Sequence, residues 1–276
     1  MALKRGYMKQ LKETEIKYLA GLMDADGSLF FQFVPYNDMY NVRLLLKLQQ
    51  SVSIDRDGKY MKSLETITGS TQFINLSAKN PEWADAYRWN VQSINDLNMI
   101  VPRLVKHMVI KAKHWDNLLT CYRNLIGKSV TEKEMLALKE FSEISRKNTG
   151  PLKNKIHPSW GWVAGYLDGD GCYHLRNRTK GKGKWTELIV KVTAHNDDLQ
   201  GIQLLSKAFG GIIKKNNYEN THTWSRNLGI KDTAFAVNFL KKVHFYSRLK
   251  KYKIEQLLHY HSQRLSDKTS TEEAIV

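Results

Sequence analysis

Long apolar runs are missing from this chain. None approaches the roughly 18 residues that a membrane-spanning helix needs. The opening residues, Met1-Ala2-Leu3-Lys4-Arg5, lack the apolar core of a secretory signal. Cysteine is scarce as well. Cys121 and Cys172 are too few for a disulfide framework or a zinc site. These absences exclude a membrane protein and a disulfide-stapled secreted one. They imply a reducing, intracellular setting. Acid is short too: 27 Asp and Glu stand against 43 Lys and Arg, a net charge of +16. A compact protein this basic expects a polyanion, because neutralising phosphates releases counterions.

What is present is a globular composition, 42% hydrophobic and 11% aromatic, over 276 residues. That length suggests about two domains. A nine-residue stretch occurs once in each half of the chain. Leu19 to Gly27 reads L-A-G-L-M-D-A-D-G, and Val163 to Gly171 reads V-A-G-Y-L-D-G-D-G. The first copy closes a predicted helix from Thr14 to about Ala25, stopped by Gly27. Its apolar residues fall on both faces, the mark of a buried helix. Ala20, Gly21 and Ala25 would admit a second backbone. Ser159 caps the second helix, which is expected to run to Gly169.

Strands are predicted at Phe30 to Val34 and Val42 to Gln50, joined by a turn over Pro35 to Asp38. Period-two alternation puts Arg43, Lys47 and Gln49 on one face, with Gln32 beside them on the preceding strand. An amphipathic helix is predicted over Asp55 to Thr66. Strands follow at Gln72 to Leu76 and Ala86 to Gln92, then a helical region from Pro102 to Ile126. Thr131 to Glu134 reads as a capping box for a last helix with the stripe Met135, Leu138, Phe141 and Ile144.

The second half repeats the programme. Strands are expected at Cys172 to Arg178 and Leu188 to Ala194, with a basic loop from Thr179 to Lys184 between them. A helix at Asp198 to Phe209 should stop at Gly210-Gly211. Strands at Ile212 to Asn216 and Thr223 to Ile230 follow, then helices at Thr233 to Val243 and Tyr246 to Gln263, and a loose polar tail from Leu265. The expected fold is therefore α+β. Two pseudo-symmetric α-β-β-α-β-β-α halves each carry an antiparallel four-stranded sheet with helices on one face. The expected boundaries are a half-domain at 1–146 (with its terminal helix at 131–146), a linker at 147–158 and a half-domain at 159–276.

Asp24 and Asp26, like Asp168 and Asp170, stand at a helix C-terminus, where the backbone already carries partial negative charge. A single D-x-D-G usually reads as turn residues satisfying local N–H groups. Two copies on similar helices in so basic a chain favour bound cations. Oxygen-only donors suit Mg²⁺, Mn²⁺ or Ca²⁺ rather than zinc. If the small-residue faces pack together, the acidic ends meet, and paired cations near phosphodiesters serve in-line displacement.

With these motifs the chain resembles the LAGLIDADG homing endonucleases of the monomeric, two-motif type. Met23 departs from the family name in the first copy; Val163, Tyr166, Leu167 and Gly169 depart in the second. The resemblance implies that the motif helices form the interface between the halves. It implies that Asp26 and Asp170 are catalytic and bind metal, with the carbonyls of Ala25 and Gly169 as further ligands and Asp24 and Asp168 in support. It implies a catalytic lysine late in each repeat, Lys111 and Lys250, and a polar residue ordering water at the end of the second strand. Asn196 fits that place in the second half; Gln50, Ser51 or Val52 does in the first. DNA-reading residues are expected on the sheets: Gln32, Arg43, Lys47, Gln49, Arg88 and Asn90, then Arg176, Arg178, Glu187, Lys191, Thr193, Lys214 and Arg226.

The implied activity is site-specific, metal-dependent cleavage of double-stranded DNA by a monomer encoded in a mobile intron. One phosphodiester would be cut on each strand of a long asymmetric target, leaving short 3′ overhangs. Mg²⁺ is the expected cofactor, with Mn²⁺ substituting and Ca²⁺ binding without cleavage. The alternatives are a group I intron maturase, whose partner would be host intron RNA, and a non-catalytic DNA-binding protein on the same fold.

Overall fold

The computed structural model describes the backbone at residues 12–147, 157–180, 183–195, 199–217, 220–227 and 233–273, and side chains there except at 175–187, 227, 233–234, 261 and 264–273. The chain divides into two compact units, Met1–Gly169 and Asp170–Val276. Among the described residues no helix is long and apolar enough to cross a membrane.

The first unit runs α1 (Glu13–Asp26), β1 (Gly27–Tyr36), β2 (Met39–Ser51), a 3-10 turn (Arg56–Gly58), α2 (Lys59–Leu64), β3 (Ser70–Ile74) and β4 (Ala86–Val91). It continues with α3 (Ile94–Val105), α4 (Ala112–Arg123), β5 (Ser129–Val130), α5 (Glu132–Lys147) and α6 (Trp160–Gly169). Its antiparallel sheet has the order β1-β2-β4-β3, and short β5 pairs with the start of β2. The second unit runs β6 (Gly171–Lys180), β7 (Gly183–His195), α7 (Leu199–Phe209), β8 (Ile212–Lys215), β9 (Thr221–Asn227), α8 (Thr233–Tyr246) and α9 (Lys251–Glu273). Its sheet has the order β6-β7-β9-β8, also antiparallel. The expected α+β class and the repeated element order are both present.

Helix α1 passes straight into β1, and α6 reaches β6 after the single turn residue Asp170. Gly27 is already extended (φ −77°, ψ 150°), so it is not a left-handed stop. It is required because a Cβ there would run into the Met23 backbone. The β1–β2 hairpin is longer than its apolar runs suggest. It closes on Asn37-Asp38, with Asn37 at φ 51°, a conformation asparagine tolerates. Leu29, Leu44, Leu46, Leu48, Trp89 and Val91 turn inward and are buried, the pleat putting their neighbours on the opposite face.

Several elements differ from expectation. The helix expected over Asp55 to Thr66 is cut short by left-handed Asp57 and Gly58 (φ 59° and 63°). Asp55 then caps α2 by accepting the N–H groups of Tyr60 and Met61, each at 2.9 Å. The region Pro102 to Ile126 is two helices, and the first starts earlier, at Ile94. Its buried face, Leu97, Ile100, Val101 and Leu104, carries it through Pro102. On α5 the capping box forms as expected, Thr131 N–H donating to Glu134 at 2.8 Å and Glu134 N–H to Thr131 at 3.3 Å. The stripe is rotated, however. Met135 is buried, but Phe141 and Ile144 are 37% and 50% exposed, while Ser145 is buried and accepts from Asn117. The last helix begins at Lys251 and continues to Glu273, through the expected loose tail. Most of the expected linker, residues 148–156, lies outside the described residues.

Candidate active site at the ends of the motif helices

The two motif helices, α1 and α6, both belong to the first unit and pack backbone to backbone. A Cβ on Gly21 would collide with the Trp162 carbonyl, and one on Gly165 with the Tyr18 carbonyl. Ala20 and Ala164 are fully buried beside them. The approach is sealed by reciprocal hydrogen bonds. Tyr18 Oη donates to Asp168 Oδ2 at 2.7 Å, and Trp162 Nε1 donates to Asp24 Oδ2 at 2.8 Å.

The earlier aspartate of each motif is therefore internal, Asp24 at 2% and Asp168 at 0% exposure. Asp24 also accepts the backbone N–H groups of Val109 (2.6 Å), Ile110 (3.2 Å) and Lys111 (2.9 Å). This is the break between α3 and α4. Burial pushes the Asp24 carboxyl above its ordinary range, against the opposing pull of these hydrogen bonds and of Lys111.

The later aspartates, Asp26 and Asp170, are exposed. Lys111 Nζ donates to the carbonyls of Met23 (3.2 Å), Ala25 (2.9 Å) and Gly27 (2.9 Å). The ammonium thus sits on the negative end of α1, where a cation is favoured. In the second unit, buried Lys250 donates through Nζ to the Gly171 carbonyl at 2.5 Å. The two lysines occupy matching places although they lie 84 and 79 residues beyond their glycines.

Gln50 is the residue that meets the first acid. Its Nε2 donates to Asp26 Oδ2 at 2.5 Å, and the side chain is buried. Ser51 bonds instead to Ser53. Gly27 pairs with Leu48 and Gly171 with Val192, so the counterpart of Gln50 is Ala194, a buried methyl. Asn196 lies outside the described residues. A Cβ on Gly169 would touch Ala25 and approach Asp26 Oδ2 to 2.9 Å. Gly169 thus lets α6 lie directly against Ala25 and the Asp26 side chain. Among the described residues no cluster of three His, Cys, Asp or Glu stands ready for a metal.

Cross-strand register puts Gln32, Arg43, Lys47, Gln49, Arg88 and Asn90 on the face of the first sheet away from the core, but Asn90 is buried there rather than presented to solvent as expected. In the second sheet Lys191, Thr193 and Lys214 share the corresponding face. Arg176, Arg178 and Glu187 occupy strand positions whose side chains lie outside the described residues. Arg226 does not share that face, contrary to expectation. It pairs with Val190, whose side chain is in the core. It turns toward the helix layer, its guanidinium 5.0 Å from the Phe235 ring centre. An arginine stem can line apolar surface when the head finds an aromatic face. Thr223 joins the face of Thr193 without a signal in the sequence. It bonds Thr193 at 2.9 Å and Asn216 at 3.1 Å across the second sheet, a link visible only once the register is known.

His114 lies on the buried side of α4. Burial first, then Arg146 and Lys111, brings its pKa from 6.5 down to about 4. A histidine lowered in the folded state stays neutral there while the unfolded chain takes up a proton. Stability is therefore full above pH 6.5 and is lost as pH falls towards about 4, by roughly 1.4 kcal/mol per unit. Replacing His114 by Leu is expected to flatten urea-denaturation stability across that window. An unchanged pH slope would place the responsible group elsewhere.

No curated protein matches the chain. Solved structures do. The meganuclease I-SmaMI bound to uncleaved DNA target with calcium ions is 17% identical, with a TM-score of 0.68, covering 94% of this chain and 93% of that one. The LAGLIDADG homing endonuclease I-GzeII in complex with DNA target is 17% identical, TM-score 0.66, over 92% and 91%. The LAGLIDADG meganuclease I-AabMI bound to uncleaved DNA is 15% identical, TM-score 0.63, over 91% and 92%. At these identities the likeness concerns the fold. The family model described as LAGLIDADG endonuclease matches residues 19–122 and 163–261, both motifs included. The chain belongs to the LAGLIDADG endonuclease family.

Proposed function

We propose that this chain is a site-specific, metal-dependent homing endonuclease. Acting as a monomer, it hydrolyses one phosphodiester on each strand of a long, asymmetric DNA target and leaves short 3′ overhangs. The observation that carries this reading is that each motif ends on an exposed aspartate followed by a glycine whose carbonyl is held by a lysine. The net charge of +16 and the polar face of the first sheet fit duplex DNA as the partner. Half-domains 1–146 and 159–276, joined by the linker 147–158, would each supply one acid and one lysine.

In each motif the exposed aspartate, Asp26 or Asp170, and the carbonyl just before it, of Ala25 or Gly169, offer hard oxygen donors that would hold Mg²⁺. When bound, Mg²⁺ would polarise the scissile phosphate and make a bound water more acidic. Mn²⁺ would substitute for it, and Ca²⁺ would support binding alone. The remaining work belongs to the chain. Lys111, fixed by carbonyls on either side of Asp26, offers positive charge to the phosphate as its oxygens gain negative charge. Lys250 does the same beside Asp170. Gln50 holds one Asp26 oxygen in place and keeps an N–H and a carbonyl with which to orient water.

The test is cleavage of plasmids carrying a randomised target library, with Mg²⁺ present. Recovery of linear product with one enriched target is expected. A chain that cuts no member of the library, yet stimulates splicing of its own intron RNA, would be a maturase instead.

A further inference from the structure

Gln49 and Arg88 face each other across β2 and β4. Arg88 donates through both Nε, at 3.1 Å, and Nη2, at 2.9 Å, to the single oxygen Gln49 Oε1. Arginine has no acceptor, so the amide oxygen must point at it and the Gln49 NH₂ must point away. The pair therefore shows only donors: the outer guanidinium edge of Arg88 and the amide hydrogens of Gln49. Lys47, the next residue of β2 on this face, adds a third donor group. The positions that share this face on β1 to β4 include Ser28, Gln32, Asn41, Arg43, Ser70 and Gln72 and no carboxylate. Nothing acidic on these strands competes for the guanidinium.

A surface of fixed donors selects an edge of acceptors. In the major groove guanine alone offers two acceptors side by side, N7 and O6; adenine and cytosine each present an N–H₂ that would meet these donors head on. Guanidinium matches that guanine edge with two parallel hydrogen bonds. Held by Gln49, the Arg88 fork needs no reordering on binding.

Resting on the reading of the chain as a DNA-binding endonuclease, we propose that Arg88, aimed by Gln49, is a specificity-determining residue that reads one guanine of the target, with the Gln49 amide hydrogens directed at an acceptor on a neighbouring base pair.

The test is binding selection from a randomised duplex library in Ca²⁺, repeated for variants whose thermal melts match the parent. The parent is expected to require guanine at one position within the half-site under the first sheet. Arg88→Ala should relax discrimination there by about tenfold to a hundredfold, leaving distant positions unchanged. Arg88→Lys, which keeps the charge and loses the fork, should relax the same position while total affinity is largely retained. Gln49→Glu keeps an acceptor for Arg88, so the guanine requirement should persist while preference at the neighbouring pair changes. The proposal is overturned if Arg88→Ala weakens all sequences alike and reduces the salt slope by about one, the behaviour of a phosphate contact. It also falls if no position shifts. A parent that enriches no duplex at all would sink the DNA-binding reading itself, and this assignment with it.

Discussion

Asp26→Asn and Asp170→Asn, made singly, are each expected to reduce double-strand cleavage in Mg²⁺ by more than about a hundredfold while target binding in Ca²⁺ persists. Each change removes one negative charge and keeps the side chain's shape. Both aspartates are exposed, so the fold should survive, and an asparagine at position 26 still presents an oxygen to Gln50. The earlier aspartate supplies the contrast. Asp24 accepts four hydrogen bonds while 2% exposed, and Asp24→Ala would strand those donors at about 1–3 kcal/mol for each one left buried. That variant should fail by unfolding, Asp26→Asn by losing chemistry. Circular-dichroism melts run beside a cleavage assay separate the two. Full cleavage by either asparagine variant would remove that aspartate from the catalytic set.

The second large effect concerns the helix contact. Gly21→Ala and Gly165→Ala should each destabilise the protein by about 3 kcal/mol or more. A collision with backbone cannot be relieved by a rotamer change and forces the helices apart. Gly161→Ala is the graded control. Its Cβ would stand 3.0 Å from the Lys17 Cβ and 3.2 Å from the Thr14 carbonyl oxygen, contacts that a shift of a few tenths of an ångström relieves. Urea midpoints should fall in the order Gly161, then Gly21 and Gly165. Equal midpoints for all three would mean that the helix approach is not a tight contact in solution.

The motif helices were legible in the amino-acid sequence because their signal is local: apolar residues on every face, small residues at close approach, acids at the end. The strand faces were legible where strict alternation holds, as for Arg43, Lys47 and Gln49. Arg226 shows where the rule of charge outward breaks down. Its partner Val190 is in the core, and an aromatic ring on α8 makes the inward position tolerable. The break before Lys111 could not be read locally, since it depends on Asp24, 86 residues away from Ile110. The α5 stripe misled for a related reason. Apolar periodicity alone suggested burial of Phe141 and Ile144, whereas Ser145, bonded to Asn117 of α4, takes the inner position.

Tyr18 and Trp162 occupy the same place in the two copies of the motif, as do Asp24 and Asp168. Each helix gives one aromatic donor and one carboxylate, and receives the complement from the other. A surface that supplies both members of its own bond is self-complementary, the condition for a two-fold dimer. The repeated motif thus holds, inside one polypeptide, the reciprocal bonding pattern of a two-fold contact. Any chimera that exchanges one motif helix must carry its aromatic and its aspartate together.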